Sequence, residues 1–148
     1  MFAGEFRCKL DDKGRFFIPS SIRELFDKGK PDQTTNVVFV RGQTECLWIY
    51  SLPDWEQKLT RAKETLDDDQ SRLFMHFIVS ETMASEIDRS GRISVPRRLR
   101  ELAGIEAEVV VIGMYDRMEI WSTEEWNGYL ARMEEKYETS LPKILNVL

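Results

Sequence analysis

Strand-like and helix-like patterns follow one another along this chain in an order that occurs twice. A first strand pattern covers residues 5 to 10 and returns at residues 84 to 88. Each leads into a four-residue turn, Asp11-Asp12-Lys13-Gly14 or Asp88-Arg89-Ser90-Gly91, with aspartate first and glycine fourth. That arrangement suits a type I turn followed by a left-handed glycine. Arg15 or Arg92 comes next, opening a short β run, "FFIP" or "ISVP", that Pro19 or Pro96 closes. Proline lacks the donor a ladder needs and is favoured in the first turn of a helix. The short helical patterns "SSIREL" and "RRLREL" follow.

Two further strands are expected in each half, "VVFV" with "LWIY" and "VVVI" with "MEIW", joined by hairpin connections such as "MYDR". A helix then closes each unit. One starts at Ser51 with Pro53 and Asp54 in its first turn; the other starts at Ser122 with Glu125 in the capping-box position. Between the units, the run Asp67, Asp68, Asp69 followed by an apolar stripe predicts a connecting helix with an acidic start.

The repetition extends to identities. At an offset of 77, Asp11, Gly14, Arg15, Pro19, Arg23, Glu24 and Leu25 reappear as Asp88, Gly91, Arg92, Pro96, Arg100, Glu101 and Leu102. Past a shorter connection in the second half, Val37, Ile49, Ser51 and Trp55 match Val109, Ile120, Ser122 and Trp126. The organisation read from this is a first module over residues 1–60, a helical connector over 61–82, a second module with its closing helix over 83–135, and a tail over 136–148. A module of about 60 residues buries little core and leaves strand edges open. The expected fold is therefore α+β and β-rich, a pseudo-twofold pair of modules edged by short helices and covering one another.

Composition adds bounds. With 148 residues, 42% hydrophobic and 32% charged, the chain reads as globular. No apolar run approaches the roughly 18 residues of a membrane span and the N-terminus has no apolar h-region, so a cytoplasmic protein without membrane contact is expected. Two cysteines, Cys8 and Cys46, and one histidine, His76, offer no zinc-ligand spacing. The thiols are expected to be free, and His76, inside "LFMHFIV", to be packed or at a subunit contact.

The net charge of -5 argues against nucleic acid until its distribution is considered. Residues 5 to 23 carry five basic against three acidic side chains, and so do residues 86 to 101, giving each copy +2. The acid lies in residues 54 to 69 and after Ile105. Since phosphate attraction acts over about 8 Å at physiological salt, local basic patches can work on an acidic molecule. A two-stranded ribbon fits the major groove, and arginine can donate two hydrogen bonds to guanine O6 and N7.

Other roles exist for the same residues. Asp11 and Asp88 are a carboxylate pair on paper, which would make a hydrolase, but aspartate at a turn start bonds its local backbone, and no base or metal set accompanies it. The reading assigns no catalytic residue, no metal and no cofactor. Arg15 and Arg92 have an alternative role as partners of Asp11 and Asp88. Arg23 and Arg100, each followed by glutamate, also fit a solvated helix face. The four tryptophans, Trp48, Trp55, Trp121 and Trp126, read as core or module-interface aromatics rather than base-stacking platforms.

The segment "LDDKGRFFIPSSIREL" resembles the AbrB/SpoVT-type swapped-hairpin DNA-binding domain. The tandem arrangement, with "MFAGEFRCKLDDKGR" at the start and "EVVVIGMYDRMEIWSTEEW" near the end, closely resembles the MraZ family over residues 1 to about 135. The resemblance implies a swapped-hairpin fold in both modules. It further implies a transcriptional regulator of double-stranded DNA, associated with the nucleoid, that recognises short direct repeats upstream of the division and cell-wall gene cluster and assembles as a homo-oligomeric ring. By the motif, the DNA contacts fall on Arg15 and Arg92, with Lys13 in the same turn, and phosphate contacts on Arg23, Arg100, Arg97 and Arg98. Asp11, Gly14, Asp88 and Gly91 shape the turns. An antitoxin-like or adaptor protein with an autoregulatory AbrB-type module is the alternative, its acidic C-terminal part engaging a partner protein.

Overall fold

The computed structural model describes residues 1–27, 34–42 and 45–148. The first half holds β1 (Glu5–Lys9), β2 (Arg15–Phe17), α1 (Ser20–Asp27), β3 (Thr35–Arg41), β4 (Leu47–Ser51) and α2 (Leu52–Thr65). α3 (Asp68–Phe77) and a short 3-10 turn (Val79–Glu81) connect it to the second half, which holds β5 (Met83–Ile87), β6 (Arg92–Ser94), α4 (Arg97–Leu102), β7 (Glu108–Gly113), β8 (Met118–Ser122) and α5 (Thr123–Tyr137). A last short helix, α6 (Leu141–Leu145), falls in the tail that pattern left unassigned.

Helix starts follow the side chains expected to cap them. Ser51 Oγ accepts the amide N–H of Asp54 at 3.2 Å, and Ser122 Oγ that of Glu125 at 3.1 Å. α3 opens on Asp67 with a full capping box, Asp67 and Gln70 each bonding the other's backbone amide. α2 runs across residue 60 to Thr65.

Among the described residues the strands form one antiparallel eight-stranded sheet in the order β1-β7-β8-β4-β3-β5-β6-β2. The two outermost strands, β1 and β2, are themselves consecutive in the chain. Asp11 N–H donates to Arg15 O at 2.8 Å across the turn that joins them, so the sheet curls into a nearly closed barrel. This pairing covers most of the edges that each module would leave open alone, with β1 and β2 left as the edge strands.

The modules are interleaved rather than set side by side. β1 pairs with β7 of the other half, and β5 with β3. β2 pairs with β6, with Arg15 opposite Ser94, Phe16 opposite Ile93 and Phe17 opposite Arg92. Phe16 and Ile93 are the same position in the two copies, so the pseudo-twofold axis passes between them. It leaves the barrel through the β4–β8 pair, where Trp48 faces Glu119, again equivalent positions. Swapped hairpins were expected, and this register is what they produce.

One main core results. Phe16, Ile22 and Phe26 from the first copy and Ile93, Leu99 and Ile105 from the second lie in the same buried cluster. The tryptophans sit away from β2 and β6. Trp55 packs on Tyr50, Trp121 on Trp126 and Tyr129, and buried Glu119 accepts the indole N–H of both Trp48 and Trp121 at 3.1 Å. Cys8 is half-buried and Cys46 is buried. His76 was expected to be packed or at a subunit contact; within a single chain it is exposed on α3, while Phe74 and the C-cap residue Ile78 pack on the cluster of Val38, Val40, Tyr50 and Trp55. Among the described residues, no helix is long and apolar enough to cross a membrane.

Because the two copies share a core, truncation at the axis should be felt by the whole molecule. Phe16→Ala should lower stability by about 3–5 kcal/mol. In urea the variant should still unfold in a single transition seen alike by tryptophan fluorescence and circular dichroism. Two separated transitions would mean that the modules fold independently.

Candidate nucleic-acid interface

Each Asp-x-x-Gly-Arg turn is organised by its own aspartate. Asp11 Oδ1 accepts the amide N–H of Lys13 and of Arg15, both at 2.9 Å, and Oδ2 accepts Nε of Arg15 at 2.8 Å. Asp88 repeats this with the amides of Ser90 and Arg92 at 2.9 Å and with Arg92 Nε at 2.8 Å. The glycine closes the turn. Gly14 (φ +75°) and Gly91 (φ +88°) take the left-handed conformation, and their N–H groups donate to Asp11 O at 3.1 Å and Asp88 O at 3.0 Å.

The two turns are then tied to each other. Ile18 N–H donates to Gly91 O at 3.1 Å, and Val95 N–H donates to Gly14 O at 3.0 Å. Arg23 Nη2 crosses to the opposite turn and donates to the carbonyls of Asp88 (3.2 Å) and Arg89 (3.0 Å), while its Nε faces Asp27 at 3.5 Å. Arg100 lies over Gly14 so closely that a Cβ there would come within 2.5 Å of its Cζ, and its Nε bonds Val95 O at 3.1 Å. The positive φ is what demands glycine at position 14; the Cβ contact falls on the flexible end of Arg100, which can move aside.

The register of β2 and β6 puts Arg15, Phe17, Arg92 and Ser94 on one face of the ribbon, with Phe16 and Ile93 buried beneath. Arg15 and Arg92 are diagonal neighbours on that face, with Cα atoms about 7–8 Å apart by strand geometry. Their side chains are 27% and 32% exposed. The expected alternative role is thus real, since both arginines do pair with aspartate, but only through Nε. Among the described residues, Nη1 and Nη2 of both arginines make no hydrogen bond, which leaves the end-on fork of each guanidinium open to a ligand. The carboxylate fixes the plane in which that fork lies.

The other expected contacts divide into two groups. Lys13 is exposed at the first turn. Arg97 and Arg98 are exposed at the start of α4, in surface ion pairs with Glu101 (3.2 Å) and Glu81 (3.1 Å) that solvent screens heavily. Arg23, with a side chain only 14% exposed, and half-buried Arg100 each lie against the opposite turn. Two further side chains near the turns were not among the expected contacts. Arg89 is exposed at the second turn, where the first has Asp12. Phe17 is 63% exposed beside the arginines. The alternation of buried Phe16 with Phe17 in a period-2 run was the signal for the second.

Taken together, these features define a protein of two interleaved hairpin modules that presents a paired-arginine ribbon held by acidic turns. The sequence model described as "MraZ protein, putative antitoxin-like" matches residues 1–77 and again 78–143. A protein named Transcriptional regulator MraZ from Halothermothrix orenii is 42% identical over 142 residues, covering 93% of this chain and 92% of the relative. Those of the same name from Natranaerobius thermophilus and Desulforamulus reducens are each 38% identical, covering 99% and 100% of this chain and 98% and 100% of the relatives. The chain belongs to the MraZ family.

The charge state of the turns follows from their hydrogen bonds. The Arg15 amide is foremost in holding the Asp11 carboxyl below its ordinary value, with the Arg15 guanidinium and the Lys13 amide adding to it against some desolvation. Burial pushes the Asp88 carboxyl up, but the amide and guanidinium of Arg92 and the amide of Ser90 together outweigh it, so it too is lowered. A lowered carboxyl contributes stability that is complete above the unfolded value, about pH 4, and is lost as pH falls through the folded one. The double variant Asp11→Asn, Asp88→Asn should be less stable than wild type at neutral pH. In urea titrations the gap should narrow as pH falls toward about 2. A gap independent of pH would show that these carboxylates do not carry the turns.

Proposed function

We propose that this chain regulates transcription by inserting the β2–β6 ribbon into the major groove of double-stranded DNA, with Arg15 and Arg92 reading base edges. The observation that carries this reading is the presentation of two guanidinium forks on one narrow face by identical aspartate-held turns. Arginine in that state is suited to bidentate contact with guanine O6 and N7. Lys13, Arg97 and Arg98 supply phosphate contacts, as does Arg89. Arg23 and Arg100, read from the sequence as phosphate contacts, hold the two turns at fixed separation. The name of the family's relatives, transcriptional regulator, supports the same reading.

The recognised sites are short direct repeats, by the family resemblance upstream of the division and cell-wall gene cluster, and the protein acts at the nucleoid. A ribbon with so few basic contacts binds one site weakly, so affinity comes from a homo-oligomer, a ring in this family, engaging several repeats at once. A second reading, an antitoxin-like or adaptor protein, draws on the exposed apolar side chains Leu141, Ile144 and Leu145 of α6 and on the description of the family model. Stoichiometric co-purification of another protein on this segment would favour it.

On duplexes selected from random sequence, Arg15→Ala or Arg92→Ala should weaken binding by about 1–3 kcal/mol per repeat engaged and relax base preference. Circular dichroism should remain that of the wild type. Lys13→Ala should instead weaken all sequences alike and reduce the salt dependence by about one charge. Full binding by the Arg15→Ala, Arg92→Ala double variant would refute the assignment.

A further inference from the structure

The ribbon that carries the two arginines is not symmetric where it faces outward. Its axis relates Arg15 to Arg92 and Phe17 to Ser94, so one half presents an aromatic ring where the other presents a hydroxyl. An exposed apolar side chain by itself carries little information. Register is what distinguishes Phe17. It stands directly opposite Arg92 and two residues along the same strand from Arg15, on the same face as both. No aromatic partner packs on its ring among the described residues, and the ring is 63% exposed.

Whatever lies against Arg15 and Arg92 therefore also meets Phe17. Residues two apart on a strand are about 6.8 Å apart. That equals about two steps of a DNA strand, whose phosphates are spaced about 3.4 Å along the axis. Of the groups on base edges in the major groove, only one is apolar, the 5-methyl of thymine, and phenylalanine is among the side chains that contact it. A serine hydroxyl at the equivalent place can pair with a donor or an acceptor instead.

We propose that Phe17 is a specificity-determining residue that packs on a thymine methyl about two base pairs from the base read by Arg15. This rests on the DNA-binding reading above. Because Ser94 cannot make the same contact, the pair Phe17/Ser94 gives the pseudo-twofold platform a direction on the duplex. A site read this way is non-palindromic, and repeats of it run head to tail.

The test uses the full chain and its own selected duplex, with each thymine replaced in turn by deoxyuridine, which pairs identically and lacks only the methyl. Wild type should lose roughly fourfold in affinity at one position per repeat, the effect of one buried methyl-sized group. Phe17→Ser should bind the thymine and uracil duplexes equally while keeping the wild-type salt dependence. Phe17→Leu, which preserves an apolar contact and the fold, should retain the discrimination. Indifference of the wild type to every replacement, or undiminished discrimination in Phe17→Ser, overturns the role of Phe17 and leaves DNA binding by the arginines standing. Absence of any salt-dependent binding by wild type removes both.

Discussion

The pairing of β2 with β6 is the contact on which the rest of the molecule depends. These two three-residue strands come from different copies, and neither has enough residues to persist as a strand on its own. Their pairing seats Phe16 against Ile93 over the core and brings the two Asp-x-x-Gly-Arg turns to a fixed separation. Each turn's glycine carbonyl accepts an amide from the strand exit of the other copy. Without that exchange the turns would be two independent hairpin tips. With it they form one ribbon with one face.

This arrangement explains why a chain of ordinary length carries the same segment twice. A single copy can neither cover its own strand edges nor position two arginines relative to each other. Duplication answers both needs through the same hydrogen bonds. It also allows arginines of similar sequence context to do different work. Among the described residues, Arg15 and Arg92 make no hydrogen bond through their outer nitrogens, Arg23 spends Nη2 on carbonyls of the opposite turn, and Arg100 lays its guanidinium against the opposite turn's glycine while its Nε bonds Val95 O in its own copy. The aspartates belong to both tasks, since the carboxylate that shapes the turn also orients the guanidinium beside it.

Much of this was legible in the chain because local chemistry and fold agree there. The aspartate-to-glycine turns, the prolines after β2 and β6, and the serines before α2 and α5 each satisfy a specific backbone group, so their positions could be read directly. The interleaving was legible only through resemblance, because strand order depends on which edges meet in three dimensions. The division of labour among the arginines was less visible still. Arg23 looks like an exposed residue on a helix face until the opposite turn is placed against it, and which side chains stand beside Phe17 depends on a strand register that the chain alone does not give. Arg89 counts toward the charge of the second copy, but the first copy has Asp12 at the same place, so a comparison of the repeats does not single it out.

On the proposed mode of action, one face of the β2–β6 ribbon meets the bases. A structure of the protein on a duplex carrying its selected repeats tests this most directly. The outer nitrogens of Arg15 and Arg92 should lie about 2.7–3.2 Å from base-edge acceptors in a single major groove, with Asp11 and Asp88 still bound to their Nε atoms. A complex in which the ribbon points to solvent and the duplex rests on another face would contradict it.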